Sequence, residues 1–546
     1  MRPFSKLYPR SSVCFWLVSQ FGQSIWQEKI HPLSRKIFTD LGDLPIAIAL
    51  IAISLVFEAP SYAQPNRVCP SQLQQEVEKI SRSPNLKTAR TGVFIQTSEP
   101  NPKVLVNLDG DHYFIPASNT KLFTTAIALK VLGADYRFTT KLVSQSLPNA
   151  QGELEGELWL VASGDPSFRS DTSLKSLVTQ LKNRGVKRIK GGLGMLSNRK
   201  GAEISGSWEW QDLQESYAAI ASPFTIDENV VNWSVRPSQI GQPAIFEWEN
   251  PVLASQWRIE NQTVTIDAVP ENQLSDYSLQ VTRPYGQKLL ILSGQVPINS
   301  KADPDAVSVP DPEESFLSLL RQELQNQGIE LSDTVGNLAK PSTSATKTYA
   351  KRLNFSQSKP LQDLAISLSP PLSQLVSTTN KNSNNLYAEL LLRALGDRYY
   401  AITPDDSVSG GMFAINKYLQ SVNIAPNLVS LADGSGLSRQ NLTTPIAIVQ
   451  FLQSLAMDQD FRKSLPIAGV DGTLLRRFKD SDAQGLIQAK TGSLTGAAAL
   501  SGYVRPPKYR ELIFSIIINN SNLSGKELQQ HIDAIALLIT HLEDCR

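Results

Sequence analysis

The chain has 546 residues, of which 41% are hydrophobic and 19% charged, and its formal net charge at pH 7 is +1. This length exceeds what one simple hydrophobic core accommodates, so two or three domains are expected. The balanced charge excludes a globally basic, nucleic-acid-binding protein, and we expect no nucleic-acid partner.

The first 63 residues are interpreted as a leader rather than as part of the fold. An apolar run from 44 to 57 is short for a membrane span but typical of the core of a signal peptide. Ser61-Tyr62-Ala63 fits a cleavage site with small residues at its first and third positions. The sequence therefore predicts export to the periplasm, with an uncleaved membrane anchor as the alternative.

Helix and strand signals then alternate along residues 70–133. A helix is predicted from Pro70 to about Ser81, and two strands at 91–97 and 103–107 flank a proline-containing turn. An apolar helix follows Ser118 and ends at Gly133, a favourable helix terminator. Because its apolar stripe is wide and nearly uncharged, we expect this helix to be buried at the centre of a domain.

The start of that helix carries a hydroxyl and an amine on one face. Ser118 and Lys121 stand three residues apart, which is within side-chain reach on a helix. A neutral amine there can take the proton of the hydroxyl and make a serine nucleophile without histidine. A helix-capping serine followed by a solvated lysine explains the same pattern, so the motif needs support from the rest of the chain.

The remaining chain divides into a β-rich stretch and a helical stretch that ends in two strands. Residues 136–340 contain short alternating or β-branched segments and a few helices, and 340–360 are polar and linker-like. Helices are predicted from 371 onward, and strongly apolar strands at 497–505 and 511–519 precede a last helix at 528–542. This order predicts an antiparallel sheet packed against helices.

Two further motifs have the composition of a ligand site. Ser383-Asn384-Asn385 places a hydroxyl and a carboxamide between two predicted helices. Lys490-Thr491-Gly492-Ser493, expected to lead into the strand that starts at Ala497, offers a cation, two hydroxyls and a glycine that permits close approach of a ligand backbone. Each motif alone is also ordinary turn or strand chemistry.

The three motifs together resemble a known enzyme family. Ser-x-x-Lys, Ser-x-Asn and Lys-Thr-Gly in this order match penicillin-binding proteins and β-lactamases. The stretch 433–439, Asp-Gly-Ser-Gly-Leu-Ser-Arg, resembles that of low-molecular-mass class C penicillin-binding proteins, the D-alanyl-D-alanine carboxypeptidase/endopeptidases of the penicillin-binding protein 4 type. Segments 208–213 and 227–231 resemble parts of that family's insert.

The resemblance implies an α/β (α+β) transpeptidase/β-lactamase-like domain, whose antiparallel sheet is flanked by helices. A mainly β insert of one or two domains is nested within it. The expected organisation is a leader at 1–63, the first part of the transpeptidase-like domain at 64–135, the insert at 136–350 and the second part at 351–546. The long interval between Lys121 and Ser383, which ordinary β-lactamases lack, accommodates this insert.

The resemblance also implies a role for each site residue. Ser118 is the expected nucleophile, Lys121 its base, and Ser383 and Asn385 complete the catalytic set, acting on peptidoglycan stem peptides and binding β-lactams covalently. The residues expected to bind substrate are Lys490, Thr491, Gly492, Ser493 and Arg439. We also expect the charge of Lys490 to lower the pKa of Lys121. No metal and no cofactor are expected.

A disulfide between Cys69 and Cys545 is expected from the compartment and from the resemblance. They are the only cysteines outside the predicted leader, and the family fold packs the first and last helices side by side. Two unpaired thiols are the alternative.

Two departures from the family and several alternatives remain. The stretch 196–199 lacks the acid that reads the stem-peptide side chain in the family, and Thr495 stands where glutamine is common. A β-lactamase or esterase and a non-catalytic penicillin-binding wall scaffold are the alternative functions, and a homodimer is one alternative for the oligomeric state. None of the four histidines lies in a motif of histidine-dependent serine hydrolases or zinc peptidases.

Overall fold

The computed structural model describes residues 67–197, 202–277, 279–284, 286–332, 360–399 and 406–545, which belong to one compact unit. The predicted signal peptide and nearly all of the predicted linker at 340–360 lie outside the described residues. The strands, numbered in chain order, are β1 (Arg90–Thr97), β2 (Val104–Leu108), β3 (Thr139–Ser144), β4 (Glu153–Leu154), β5 (Leu158–Ala162), β6 (Arg188–Ile189), β7 (Leu193–Leu196), β8 (Val230–Arg236), β9 (Ile245–Trp248), β10 (Arg258–Ile266), β11 (Gln280–Thr282), β12 (Leu289–Pro297), β13 (Asp303–Ser308), β14 (Glu330–Leu331), β15 (Gln362–Leu368), β16 (Val429–Ser430), β17 (Leu442–Thr443), β18 (Ile487–Leu494), β19 (Ala497–Val504) and β20 (Leu512–Asn519). The helices are α1 (Pro70–Ser81), α2 (Thr120–Leu132), α3 (Lys175–Asn183), α4 (Pro251–Ala254), α5 (Pro312–Asn326), α6 (Leu372–Lys381), α7 (Asn385–Asp397), α8 (Ser407–Ser421), α9 (Pro445–Ser454), α10 (Gln459–Ser464) and α11 (Gly525–Thr540).

The part of the chain that contains Ser118 is built on a five-stranded antiparallel sheet in the order β18-β19-β20-β1-β2. Every residue of β19 and β20 is buried, which matches their nearly continuous apolar sequences. Strands buried on both faces need a layer on each side of the sheet. The predicted antiparallel sheet flanked by helices is therefore confirmed.

The two faces of the sheet pack against different helices. Along β20, Phe514, Ile516 and Ile518 join the core formed with α1 and α11, whereas Ile513 and Ile517 join the core formed with α2 and α9. This separation follows from the two-residue period of a strand. Helix α2 is buried along ten consecutive residues, Thr120 to Leu129, so the predicted central helix is confirmed.

The β-rich insert has its own continuous core. Its strands form a four-stranded sheet, β15-β3-β5-β7, and three smaller sheets, and helices α3 and α5 contribute to the same core. Strand β15 follows the predicted boundary at residue 350, yet it pairs with β3, and its Leu364 and Ala365 are buried in the core of the insert. The domain boundaries themselves stay a prediction.

One motif lies on a different element from the one expected. Lys490-Thr491-Gly492 is in the middle of β18, whereas the sequence predicted it to precede a strand. Strand β18 is an edge strand of the central sheet and pairs with β19, with Lys490 opposite Ser501. The polar and glycine-containing sequence of β18 gives a weak strand signal, and its pairing with the apolar β19 determines its conformation. No helix within the described ranges is long and apolar enough to cross a bilayer.

Candidate active site

Ser118 lies in a strained turn that packs against two glycines from other parts of the chain, Gly436 and Gly492. It lies in a short 3₁₀ turn, Ala117–Asn119, that leads into α2, and Ala117 has a φ of 48°. A non-glycine residue in this left-handed region costs free energy and is typical of functional sites. A Cβ atom on Gly436 would lie 1.9 Å from the Ala117 carbonyl oxygen, and one on Gly492 would lie 2.6 Å from that of Pro116. Only glycine therefore lets the neighbouring loop and β18 approach this turn.

Lys121 is a fully buried amine with three oxygen partners. Its Nζ lies 2.9 Å from Ser118 Oγ, 2.6 Å from Asn385 Oδ1 and 2.6 Å from the Ser435 carbonyl oxygen. The amide and carbonyl oxygens can only accept hydrogen bonds. In the neutral amine, both N–H groups are thus engaged with these two oxygens, and the lone pair is left for the Ser118 hydroxyl proton.

The environment of Lys121 favours this neutral form. Burial lowers its pKa from 10.5 to about 7, although the carboxylates of Asp433 and Glu389 raise it. Burial also lowers the pKa of Lys490, and the charge of Lys121 lowers it further. The two lysines thus disfavour each other's charge, and the expected lowering of the pKa of Lys121 by Lys490 stays a prediction. Desolvation is the cause that activates Lys121.

A second lysine and hydroxyl pair lies on the other side of the site. Lys490 is completely buried, and its Nζ lies 2.9 Å from Ser383 Oγ and 2.9 Å from the Thr491 carbonyl oxygen. Ser383, between α6 and α7, has a φ of 56° and so is a second strained residue of the site. The structure thus brings Ser383 and Asn385 together with the two lysines, as the sequence motifs predict.

The remaining predicted substrate residues lie along and beside β18. Thr491 Oγ1 is 2.9 Å from Thr473 Oγ1, and Ser493 is exposed further along the same strand. Arg439 lies beside the end of β18, where its guanidinium donates to the Thr495 carbonyl oxygen at 2.9 Å. The edge of β18 can pair with an extended peptide, and the cation and hydroxyls along this strand can bind the peptide's terminal carboxylate.

A buried ion pair behind Lys121 is the part of the site that sequence reasoning missed. Glu389 Oε1 accepts from the backbone N–H groups of Gly434 and Ser435, both at 2.9 Å, and Oε2 accepts from Arg393 at 2.9 Å. It thereby fixes the loop whose Ser435 carbonyl contacts Lys121. Glu389 and Arg393 are oppositely charged residues four positions apart on a mainly apolar helix. This spacing is the sequence feature that could have revealed the buried ion pair.

The insert contacts the catalytic residues directly. Asn385 Nδ2 donates to the Tyr217 carbonyl oxygen at 2.8 Å, which orients the amide whose oxygen contacts Lys121. Trp208 Nε1 donates to Asp433 Oδ2 at 2.9 Å. Segment 208–217 is therefore one wall of the active site, a role that its sequence resemblance did not reveal.

Acidic residues lie beside Arg439 although the expected position has none. Arg439 Nε is 3.0 Å from Glu209 Oε1, and Asp212 Oδ1 accepts from the Tyr217 hydroxyl at 2.7 Å. Burial raises the pKa of Asp212, and the charge of Arg439 opposes part of this rise. Both acids lie in segment 208–217, while part of the stretch 196–199 lies outside the described residues.

The two predicted disulfide cysteines are bonded in the structure. Cys69 and Cys545 form a disulfide with their Cα atoms 5.5 Å apart. The bond joins the start of α1 to the segment after α11, on the face of the sheet opposite α2. The cysteine pair is thus remote from Ser118.

The chain is similar to known proteins over most of its length. The profile of the family described as D-Ala-D-Ala carboxypeptidase 3 (S13) matches residues 73–542. The chain is 29% identical to a D-alanyl-D-alanine carboxypeptidase of Actinomadura sp. (strain R39), covering 90% of this chain and 89% of that one. It is 27% identical to the D-alanyl-D-alanine carboxypeptidase DacB of Haemophilus influenzae, covering 89% and 95% of the two chains. The crystal structure of penicillin binding protein 4 from Haemophilus influenzae superposes with a TM-score of 0.69 at 25% identity, covering 85% of this chain and 98% of that one.

Proposed function

The chain belongs to the D-Ala-D-Ala carboxypeptidase 3 (S13) family and is a penicillin-binding, serine-type D-Ala-D-Ala carboxypeptidase, and from this premise we propose which residues perform each step. The observation that carries the proposal is the contact of 2.9 Å between Lys121 Nζ and Ser118 Oγ. A buried amine with a pKa of about 7 is neutral in a large fraction of molecules at neutral pH.

In the acylation step, Ser118 Oγ attacks the carbonyl carbon of the penultimate D-alanine while Lys121 takes the hydroxyl proton. Asn385 and the Ser435 carbonyl hold the amine in place during this transfer. The oxyanion of the tetrahedral intermediate requires backbone N–H donors, for which the N–H groups of Ser118 and of the β18 region are the candidates.

Collapse of the intermediate breaks the amide bond and needs a proton on the leaving amine. Ser383, in contact with Lys490, is the donor we assign to this step, and the lysine replaces the proton through the same contact. The departing product is D-alanine, and Ser118 is left as an ester of the shortened stem peptide. Lys121 then releases the proton it took from Ser118 to solvent and Lys490 takes one up, so that neutral Lys121 is the base when water hydrolyses the ester, and this last proton returns to Ser118 Oγ.

Recognition of the terminal carboxylate is assigned to Lys490, Thr491 and Ser493. Gly492 allows β18, and with it Thr491 and Ser493, to lie close to the turn of Ser118, because a side chain at this position would collide with that turn. A β-lactam presents a carboxylate in a comparable position and acylates the same serine. Arg439, together with Glu209 and Asp212, is a candidate for reading the charged side chain of the stem peptide.

The compartment and the assembly are also part of this proposal. Action on the cell wall agrees with the predicted signal peptide, so we place the enzyme in the periplasm. We also propose that the enzyme cleaves cross-linked peptides as an endopeptidase, in addition to its carboxypeptidase activity. A homodimer stays a prediction that sedimentation of the mature protein tests.

Labelling with a fluorescent penicillin tests the mechanism. Wild type should form a covalent adduct, and Ser118→Ala should form none. Ser255→Ala, which removes an exposed hydroxyl of the insert, is the matched control and should label like wild type. A covalent adduct in Ser118→Ala would refute the assignment. Mass spectrometry of muropeptides should then show loss of one D-alanine, and a long adduct lifetime would exclude a β-lactamase.

A further inference from the structure

A strained turn of the insert lies against the loop that carries Ser383. Asp227, Glu228 and Asn229 form this turn directly before β8, and all three have positive φ values, 47°, 56° and 52°. Three consecutive non-glycine residues in the left-handed region cost free energy at each position. Such strain persists only where surrounding contacts fix it, and it is typical of functional segments. The turn begins segment 227–231, a sequence feature of the insert that the acyl-transfer steps do not use.

The two outer residues of the turn anchor it within the insert. Asn229 is fully buried, and its side-chain amide donates to the Ile220 carbonyl oxygen at 2.9 Å. Asp227 Oδ1 accepts from the backbone N–H of Ser170 at 3.0 Å. These contacts hold the left-handed backbone in place, and the side chain of the middle residue, Glu228, contacts a different part of the chain.

Glu228 contacts the middle residue of the catalytic motif 383–385. Asn384 Nδ2 donates to Glu228 Oε2 at 2.7 Å. Asn384 Oδ1 accepts from the backbone N–H of Tyr387 at 3.1 Å and so caps helix α7. Arg169 lies 3.7 Å from the other carboxylate oxygen of Glu228. Both polar atoms of the Asn384 side chain are therefore engaged, one by its own helix and the other by the insert.

The residues on either side of Asn384 are those that contact the two lysines. Ser383 Oγ lies 2.9 Å from the amine of Lys490, and Asn385 Oδ1 lies 2.6 Å from that of Lys121. Ser383 has a φ of 56°, so its backbone keeps this conformation only if neighbouring contacts restrain it. Asn384 follows Ser383 directly, and a fixed Asn384 side chain restrains the peptide that orients the Ser383 hydroxyl.

We propose that Glu228 is a positioning residue for acylation, because its carboxylate holds Asn384 and thereby keeps the Ser383 hydroxyl within reach of the leaving amine. This role rests on the proposed function, in which Ser383 donates the proton to that amine. Glu228 acts through Asn384 rather than on the reacting atoms. The Tyr217 carbonyl holds Asn385 in the same way, so the insert fixes two consecutive residues of the motif.

Stopped-flow acylation by a fluorescent penicillin tests this role, because it separates the affinity before acylation from the maximal rate. Glu228→Ala should lower the maximal rate roughly 10- to 100-fold, the effect of a misplaced catalytic group, and leave the affinity like that of wild type. Glu228→Gln, whose amide oxygen can accept the same hydrogen bond from Asn384, should recover most of the rate. The matched control is Glu247→Ala, which removes an exposed carboxylate paired with Arg236 at 3.1 Å elsewhere in the insert, and it should react like wild type.

Exchanging donor and acceptor between the two side chains is a sharper test. Asn384→Asp keeps an oxygen that caps α7 but places a carboxylate against that of Glu228, and it should slow acylation at least as much as Glu228→Ala. Combining Asn384→Asp with Glu228→Gln restores a hydrogen bond in the opposite direction at the net charge of wild type. This double variant should recover most of the rate, which independent damage at two positions would not produce.

Each outcome decides the assignment. Maximal rates like that of wild type in Glu228→Ala and Asn384→Asp would overturn it, and so would single losses that simply multiply in the double variant. A loss confined to affinity, or one that follows the fall in thermal unfolding midpoint across the variants, would also overturn it. If wild type itself formed no adduct, the proposed function would fail. If wild type reacts and the variants match it, only this role of Glu228 fails.

Discussion

Replacing Cys69 by serine should lower the stability of the enzyme without changing its acylation. The disulfide joins residues 476 positions apart, so it closes almost all of the chain that the structure describes into one loop. The substitution opens that loop in the unfolded state and leaves the active site untouched, because the cysteines lie on the other side of the central sheet from α2.

The length of the loop sets the size of the effect. The chain-entropy expression gives about 6 kcal/mol at 25 °C for a loop of this length, whereas measured losses are typically about 2–4 kcal/mol. In the folded state the same ends are also joined by backbone hydrogen bonds, from Val68 N to the His541 oxygen and from Glu543 N to the Val68 oxygen, both 3.1 Å. These contacts persist in the variant and keep α1 in place. We therefore expect a loss of about 2–4 kcal/mol, or a fall in the unfolding midpoint of roughly 2–4 °C for a unit of this size.

Thermal unfolding of Cys69→Ser, Cys545→Ser and the double variant measures this loss. All three should unfold at the same temperature, because each change breaks the same bond and the effects are not additive. Fluorescent penicillin should label all three at the wild-type rate. Two alkylatable thiols in wild-type protein under non-reducing conditions, or a midpoint that a reductant does not change, would refute the reasoning.

Three predictions concern the two lysines. The rate of acylation by penicillin should rise with pH through a midpoint near 7, because only neutral Lys121 accepts the proton; stopped-flow labelling between pH 5 and 9 measures this, and a flat profile contradicts it. Glu389→Gln removes a charge that raises the pKa of Lys121, so the midpoint should move to lower pH. This variant should also lose about 3–5 kcal/mol of stability, because Arg393 stays buried without its carboxylate; a midpoint at higher pH would exclude this role of Glu389. Lys490→Gln should reduce acylation efficiency roughly 10- to 100-fold through loss of a charged hydrogen bond to the ligand carboxylate, and an unchanged efficiency would remove it from recognition.

The sequence predicted the residues whose function depends on local spacing. Ser118 and Lys121 are recognisable because a spacing of three residues at the start of a helix brings their side chains together. Asn385 is recognisable because its motif lies at the start of a helix. The Tyr217 carbonyl left no signal, since any residue has a backbone oxygen and only the tertiary fold brings it to Asn385. The strand β18 was also missed, because its conformation comes from pairing with β19 rather than from its own polar sequence.

The order of the central sheet has a consequence for how the enzyme becomes active during synthesis. Strand β1 pairs along its whole length with β20, so that Arg90 pairs with Asn519. The insert, by contrast, builds most of its core from one continuous stretch of chain. Since domains fold as units and distant pairings form slowly, the insert should fold first, while the edge of β1 that faces β20 stays unpaired until the last strand has emerged. The nascent chain therefore carries its nucleophile long before Lys490 and the closing strands complete the site, and acyl transfer should begin only on the finished chain.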